Sequence, residues 1–489
     1  MRCGSAHSVL PYALGVLRSV AIPNLSEIVH NGLKSALGSV SVDALDQVAS
    51  HVSQLAQQLG IPKYDLSGST VTETSVQVDH GDPKQVKASQ RSGVMVRVWN
   101  DQGTMGVTST SDLDPEGLKL ALETAWEASF WGAKQHVPDF SPQDRDPIAV
   151  VDQAISPLDP ASLLLEQLRG AEQELLQSHP AIAQVPYNGL SQRQSHRFYL
   201  NSQGSFRQGQ GSVSSIYLYT TTQQPDRKTR SGGAYRLSRD LAHLDIAGCV
   251  REAQEKTLSH LDYQPIASGR YPVVFSPEAF LSLLGAFSNV FNAQNVLDHQ
   301  SLSTPESLGS QIASPLLHLV DDPLHPECID PDTFDGEGTP TRRLPVIESG
   351  VLTHFLHSAG TARRMNTTPT GHANLGAKVT VSPHFLHVLP GTAPDSRYDL
   401  SQADGVVWID ELKALHAGVK ALQGSFSLPF DGWLLRQGKP ISIEAATVAG
   451  DFRDLLHQII YIEPVAKVTG GGICPRIWVE SLSITGEGS

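Results

Sequence analysis

The sequence predicts an α+β fold, with N-terminal α+β layers followed by a mostly antiparallel β-sheet or barrel-like C-terminal domain. Two observations carry this reading. Strand-length runs of β-branched and aromatic residues follow one another across short turns such as Asn201-Ser202-Gln203-Gly204, and helical periodicity is confined to a few segments that flank those runs. No fixed period recurs, so a solenoid or propeller is not supported.

Taken in order, residues 1–40 stand apart. An apolar run over 9–17 follows Arg2, but Pro11 and Gly15 interrupt it and Arg18 closes it, so it reads as a disordered extension rather than a targeting signal. Residues 41–137 read as an N-terminal α+β domain. Leu45, Val48, Val52, Leu55 and Leu59 keep helical spacing until Gly60 and Pro62. Strands follow over 70–78, 93–99 and 104–110, the last two forming a hairpin, and Asp114-Pro115-Glu116 opens a helix running to about residue 132. Trp126, Phe130 and Trp131, at helical spacing, are expected in the core. The proline- and aspartate-rich stretch 138–158 is a linker. Residues 159–262 read as a central antiparallel sheet with flanking helices over 160–179 and 240–261, and strands over 181–190, 192–201, 205–222 and 232–237. The remaining domain spans 269–487, with strands expected over 379–388, 405–412, 424–428, 433–435, 441–447 and 477–484.

Composition bounds what the chain binds. At 489 residues it is too long for one core, and 40% hydrophobic with 18% charged residues describes a folded, soluble protein. Thirty-six basic against 50 acidic residues leave a formal charge of −14, which disfavours nucleic acid. Arg227, Lys228 and Arg230, or Arg363 and Arg364, are too short a run to reverse that. Four scattered cysteines, Cys3, Cys249, Cys328 and Cys474, make no Cys-x-x-Cys pair and suit a reducing cytoplasm. The 9–17 run is too short to span a membrane.

The most unusual stretch runs from Tyr271 to Asn374. An apolar strand, 271–275, meets Ser276-Pro277-Glu278, an N-cap with proline at the first helical position. Phe280, Leu283, Leu284, Phe287 and Phe291 give the helix an inward face. Turns follow at Asp321-Asp322-Pro323 and at Asp335-Gly336-Glu337-Gly338. The four carboxylates Asp321, Asp322, Asp335 and Glu337 fit three uses: a metal loop, a general acid and base pair, or turns whose carboxylates bond their own backbone. The turn is the commonest use of Asp-Gly, and the EF-hand pattern is absent. With 19 histidines, His354/His357 and His384/His387 are the metal candidates, but residues three apart on a strand face opposite ways, so neither pair converges. No Gly-x-Ser-x-Gly occurs, and Gly209-Gln210-Gly211 lacks a dinucleotide-loop context.

Taken together, 271–275 and its helix, Leu308-Gly309, Asp321-Asp322-Pro323, 334–338, 348–352 and Thr370-Gly371-His372-Ala373-Asn374 resemble the C-terminal region of the TldD/PmbA (TldE) family. Residues 93–99 with Gly106, and 424–428 through 450–452, extend the likeness over about 41–487. The resemblance implies a metalloprotease made of paired subunits, one carrying a His-Glu-x-x-x-His zinc motif on that helix. Here Gly285, Ala286 and Val290 stand at those positions, which places the chain with the PmbA/TldE branch. It further implies no cofactor in this chain, zinc in a TldD-like partner subunit, and unfolded or extended peptides as substrate. Cys474 corresponds to no metal loop and reads as a core thiol, whereas His372 with Asn374 lies in a loop resembling one near the substrate cavity. Three functions remain: the metal-free subunit of a zinc protease, an independent hydrolase using Asp335, Glu337 or His372, or a binding and assembly module. In the first, strand runs near 205–222 and 371–388 either offer an open edge to a peptide or are paired internally.

Overall fold

The computed structural model describes residues 42–151, 155–376 and 378–486, so the expected extension lies outside the described residues. The described residues from 48 to 486 form one compact unit. Helix α1 (Val42–Gln58) leads into strands β1 (Lys63–Asp79), β2 (Asp82–Trp99) and β3 (Met105–Thr110), then helix α2 (Pro115–Ser129). Helix α3 (Ala161–Ser178) precedes β4 (Ile182–Asn201), β5 (Phe206–Thr222), β6 (Ser231–Ser238) and helix α4 (Ile246–Ser259). These six strands make one antiparallel sheet in the order β3-β2-β1-β4-β5-β6, so 41–137 and 159–262 contribute three strands each.

Alternation along these strands sorts the side chains. Even-numbered positions such as Val76, Leu190, Ile216 and Leu218 are buried against Leu164, Leu168, Leu175 and Val250 of the helices. Odd-numbered positions carry the polar set, Asp65, Arg97, Arg197 and Tyr199, on the opposite face. Asp65 sits across from Arg97 on β2 and Asn201 on β4, so register alone brings an opposite charge and a polar amide to it.

Past β7 (Tyr263–Gln264) the C-terminal region begins with β8 (Gly269–Phe275) and helix α5 (Pro277–Ala286). Ser276 caps α5, its hydroxyl accepting from the Ala279 amide at 3.1 Å. Helix α6 (Ala293–Leu297), β9 (Leu319–Asp321), β10 (Leu344–Glu348), β11 (Val351–Leu352), helix α7 (Ala359–Arg364), β12 (Ala373–Asn374), β13 (Thr380–Val381) and β14 (Leu386–Val388) follow. Then come β15 (Val406–Leu412), helix α8 (Leu415–Gly418), β16 (Val419–Lys420), β17 (Ser425–Arg436), β18 (Lys439–Ile443), β19 (Ala446–Asp451), helix α9 (Phe452–His457), β20 (Ile459–Thr469) and β21 (Gly472–Gly486). Strand β17 switches partners at Phe430, pairing with β19 before it and β15 after it. Because β15 pairs with β8, β8 with β21 and β21 with β19, five strands close a barrel, as the barrel-like reading expects. Phe280, Leu283, Leu284 and Phe287 of the α5 segment pack into the surrounding core, where Cys474 is also buried.

Several local expectations are corrected. Residues 182–201 form one strand rather than two, as do 425–436, while 439–451 divides into two and 379–388 into short pieces. Strand β20 has no counterpart in the expected set. The helix expected from 240 starts at Ile246, where the Asp245 side chain caps it. Phe130 and Trp131 are not core: α2 ends at Ser129, so helical spacing no longer aims them inward, and Trp131 is 91% exposed. Strand β5 pairs with β4 over 206–222 but with β6 only over 214–221, and the described residues of 371–388 hold only short paired strands, so the internal-pairing alternative holds for 214–221 and for those short strands.

Candidate functional site

The turn carrying Asp335-Gly336-Glu337-Gly338 is pressed against the polar face of the six-stranded sheet. Asp335 Oδ1 accepts the amides of Glu337 at 2.9 Å and Thr339 at 3.0 Å, and its Oδ2 accepts the Ala373 amide at 3.0 Å. This is the Asx-type turn geometry, fastened to β12 as well. Burial, reinforced by the Glu337 charge, pushes the Asp335 carboxyl up to about 7.

Glu337 points the other way, into the sheet. Its Oε1 accepts Arg97 Nη1 at 3.2 Å and its Oε2 accepts the Ala359 amide at 2.9 Å. Arg97 also grips Asp65 through both oxygens, at 2.8 and 2.5 Å, and the Tyr199 hydroxyl donates to Asp65 at 3.2 Å. All four side chains are buried. Burial alone would lower the Arg97 pKa, but the Asp65 and Glu337 charges outweigh it and raise it. One guanidinium therefore joins strands β1 and β2 to the C-terminal turn.

A second cluster lies around β9. Asp321 accepts the His384 and Phe385 amides, at 3.1 and 2.7 Å, and His372 Nε2 at 2.6 Å. Thr370 Oγ1 lies 2.8 Å from His372 Nδ1, which suits a neutral ring, and burial lowers the His372 pKa. His384 lies 3.2 Å from Asp332, which pairs with Arg197 at 2.7 Å. His354 and His357 bond elsewhere, to the Pro345 carbonyl and Thr361, so neither histidine pair converges.

Of the residues singled out in the sequence, Asp335 and Glu337 thus meet in one cluster and Asp321 and His372 in the other. Asp322 stays apart, capping its own turn, and Asn374 bonds Ser382 at an exposed position. Gly338 has φ +75° and Gly336 does not share that region, contrary to what Asp-Gly suggests. Gly336 is required by proximity instead, since a Cβ there would stand 2.7 Å from the Leu375 amide. A Cβ on Gly338 would fall 2.4 Å from the buried Tyr199 ring. Gly338→Ala should therefore cost about 1–3 kcal/mol in chemical denaturation, from strain and overpacking together, with Gly204→Ala, at a positive φ in open space, as a milder control.

Of the residues that complete both clusters, His384 is weighed in the sequence only as half of a metal pair, and Asp65, Arg97, Tyr199 and Asp332 are not singled out. A signal exists for one: Arg97 interrupts the apolar run of 94–99. Chemically, the clusters spend their carboxylate oxygens on amides, Arg97 and imidazoles, which clamps segments rather than leaving a free nucleophile or base. Among the described residues no group of three His, Cys, Asp or Glu side chains is placed to hold a metal ion. Beside the second cluster lies a cavity of about 960 Å³, walled by His384, Phe385 and Asp330, by Glu278, Ala279 and Ser282 of α5, and by the odd-numbered face of β4 to β6.

Three family models match in series: the PmbA/TldA metallopeptidase domain 1 over residues 64–129, the central domain over 154–261 and the C-terminal domain over 268–486. The metalloprotease PmbA of Escherichia coli O157:H7 is 22% identical over 455 residues, covering 91% of this chain and 98% of that protein. Two crystal structures align over 90% of this chain and 100% of their own. One is a Thermotoga maritima protein described as a candidate modulator of a DNA gyrase, 26% identical with a TM-score of 0.81. The other is TldE from Thermococcus kodakarensis, 20% identical with a TM-score of 0.79, a likeness of fold. With all three domains matched in order over most of its length, the chain belongs to the PmbA/TldD metallopeptidase family.

Proposed function

We propose that this chain is the metal-free, PmbA/TldE-like subunit of a heteromeric zinc metalloprotease, shaping a substrate chamber for unstructured or leader peptides while a TldD-like partner carries the zinc. Helix α5 is the observation that carries the reading. Zinc needs nitrogen, sulfur or oxygen ligands, and Gly285, Ala286 and Val290 offer none. The helix also ends at Ala286, and Val290 lies buried in a following 3₁₀ turn, so these positions do not share one helical face. The residues present do not fit the metal, and no catalytic step is assigned to them.

An independent hydrolase using Asp335, Glu337 or His372 has less support, because each is buried and bonded to the fold. No described helix is long and apolar enough to cross a membrane. The reading is tested by purifying the chain alone and with a His-Glu-x-x-x-His subunit. Stoichiometric zinc and peptide cleavage should appear only in the two-chain preparation, on unstructured peptides and not on folded proteins. Dialysis-resistant zinc, or peptidase activity, in the single chain would end the proposal.

A further inference from the structure

The cavity floor has an unusual construction. Cross-strand register places Tyr187 opposite Tyr219 and Tyr219 opposite Gly233, and in the next row Gly189 opposite Tyr217 and Tyr217 opposite Tyr235. The two glycines let rings lie flat: a Cβ on Gly189 would meet the Tyr217 ring at 2.5 Å, and one on Gly233 the Tyr219 ring at 2.5 Å. Of this row of phenol rings, Tyr219 and Tyr235 line the cavity, 37% and 47% exposed, while Tyr187 and Tyr217 continue the row beyond it.

Opposite the floor, the walls carry an excess of negative charge. Seven carboxylates line the cavity against four Lys or Arg side chains and His384, which Asp332 engages. The four Lys and Arg side chains are likewise engaged: Arg193 by Asp330, Arg236 by Glu252, Lys256 by Glu252 and Asp410, and Lys467 by Glu252 and Glu278. Glu411 has no salt bridge among the described residues and lines the same cavity as Tyr219; burial raises its pKa against the pull of Lys413 and Lys256, and burial with the Glu411 charge raises that of the Tyr219 phenol. Ring faces attract cations, and a half-buried carboxylate beside them adds charge where solvent screens it least.

We propose that this cavity takes an unstructured peptide by a lysine or arginine side chain, laid on the Tyr219 and Tyr235 rings with its charge toward Glu411. The volume suits a side chain with flanking backbone rather than a bare ion. The proposal rests on the peptide-chamber reading and adds a preference for basic residues to it.

The test is fluorescence anisotropy on the full chain, at one ionic strength, with a labelled unstructured lysine-containing peptide and its lysine-to-glutamine counterpart. The lysine peptide should bind about tenfold tighter. Glu411→Gln should remove most of that preference with thermal unfolding unchanged. Tyr235→Ala, at a half-exposed position, should weaken the lysine peptide several-fold and gives a readout even where Glu411→Gln does not fold. Equal affinity for both peptides, or a preference untouched by either substitution, overturns this proposal and leaves the chamber reading standing. Binding of neither peptide overturns both.

Discussion

Arg97→Met should destabilise the chain by about 3–5 kcal/mol in urea denaturation at neutral pH, the cost of breaking a buried ion pair by removing one partner. The arginine's volume is roughly kept, so a cavity is not the main term. What remains is two buried carboxylates, Asp65 and Glu337, which lose three hydrogen bonds from one guanidinium. Glu337 still has the Ala359 amide and Asp65 the Tyr199 hydroxyl, but neither supplies a compensating charge. Arg97→Lys should fall between, because an ammonium keeps the charge and cannot fork to Asp65. Adding Asp65→Asn to Arg97→Met should recover part of the loss, so the two substitutions should be non-additive by at least about 1 kcal/mol. A loss below about 1 kcal/mol for Arg97→Met would mean that the guanidinium does not hold the sheet to the turn.

The same network shows what a sequence reveals and what it hides. Period-2 alternation, the Ser276-Pro277 cap and the Asp-Gly turn are local, and each is readable because its physics acts within a few residues. The Asp335 turn is therefore anticipated from its own residues. Its partners are not: Arg97 is 240 residues from Glu337, and only the pairing of β1 with β2 and the docking of the turn bring them together. Strand β4 illustrates the limit for elements. The sequence reading ends one strand at Leu190 and starts the next at Gln192, yet Ser191 stays in the ladder, paired with Ser75 of β1 and Ser215 of β5. Phe130 and Trp131 fail for the opposite reason, since their spacing is helical but the helix ends before them. The α5 motif lies between these cases: its lost donors are visible in sequence, while the helix end at Ala286 is not.

The charge on His384 should set part of the pH dependence of stability. Burial would lower its pKa, but the bond to Asp332 and the nearby Asp321 charge raise it from the ordinary 6.5 to about 9. A histidine whose folded pKa is raised contributes stability that is complete below about 6.5 and is lost as pH rises through about 9. The shift corresponds to about 3 kcal/mol. Asp335, raised to about 7 by burial, acts at lower pH, where stability falls as pH rises from its ordinary 3.8. That contribution is common to wild type and a His384 variant and cancels in their difference. His384→Gln keeps a hydrogen-bonding side chain and removes the titration, so the stability gap between the two proteins should narrow by about 3 kcal/mol from pH 6 to pH 9.5 in urea denaturation. Parallel curves across that range would show that His384 is neutral in the fold, and that Asp321 and Asp332 are held by the backbone amides and Arg197 without it.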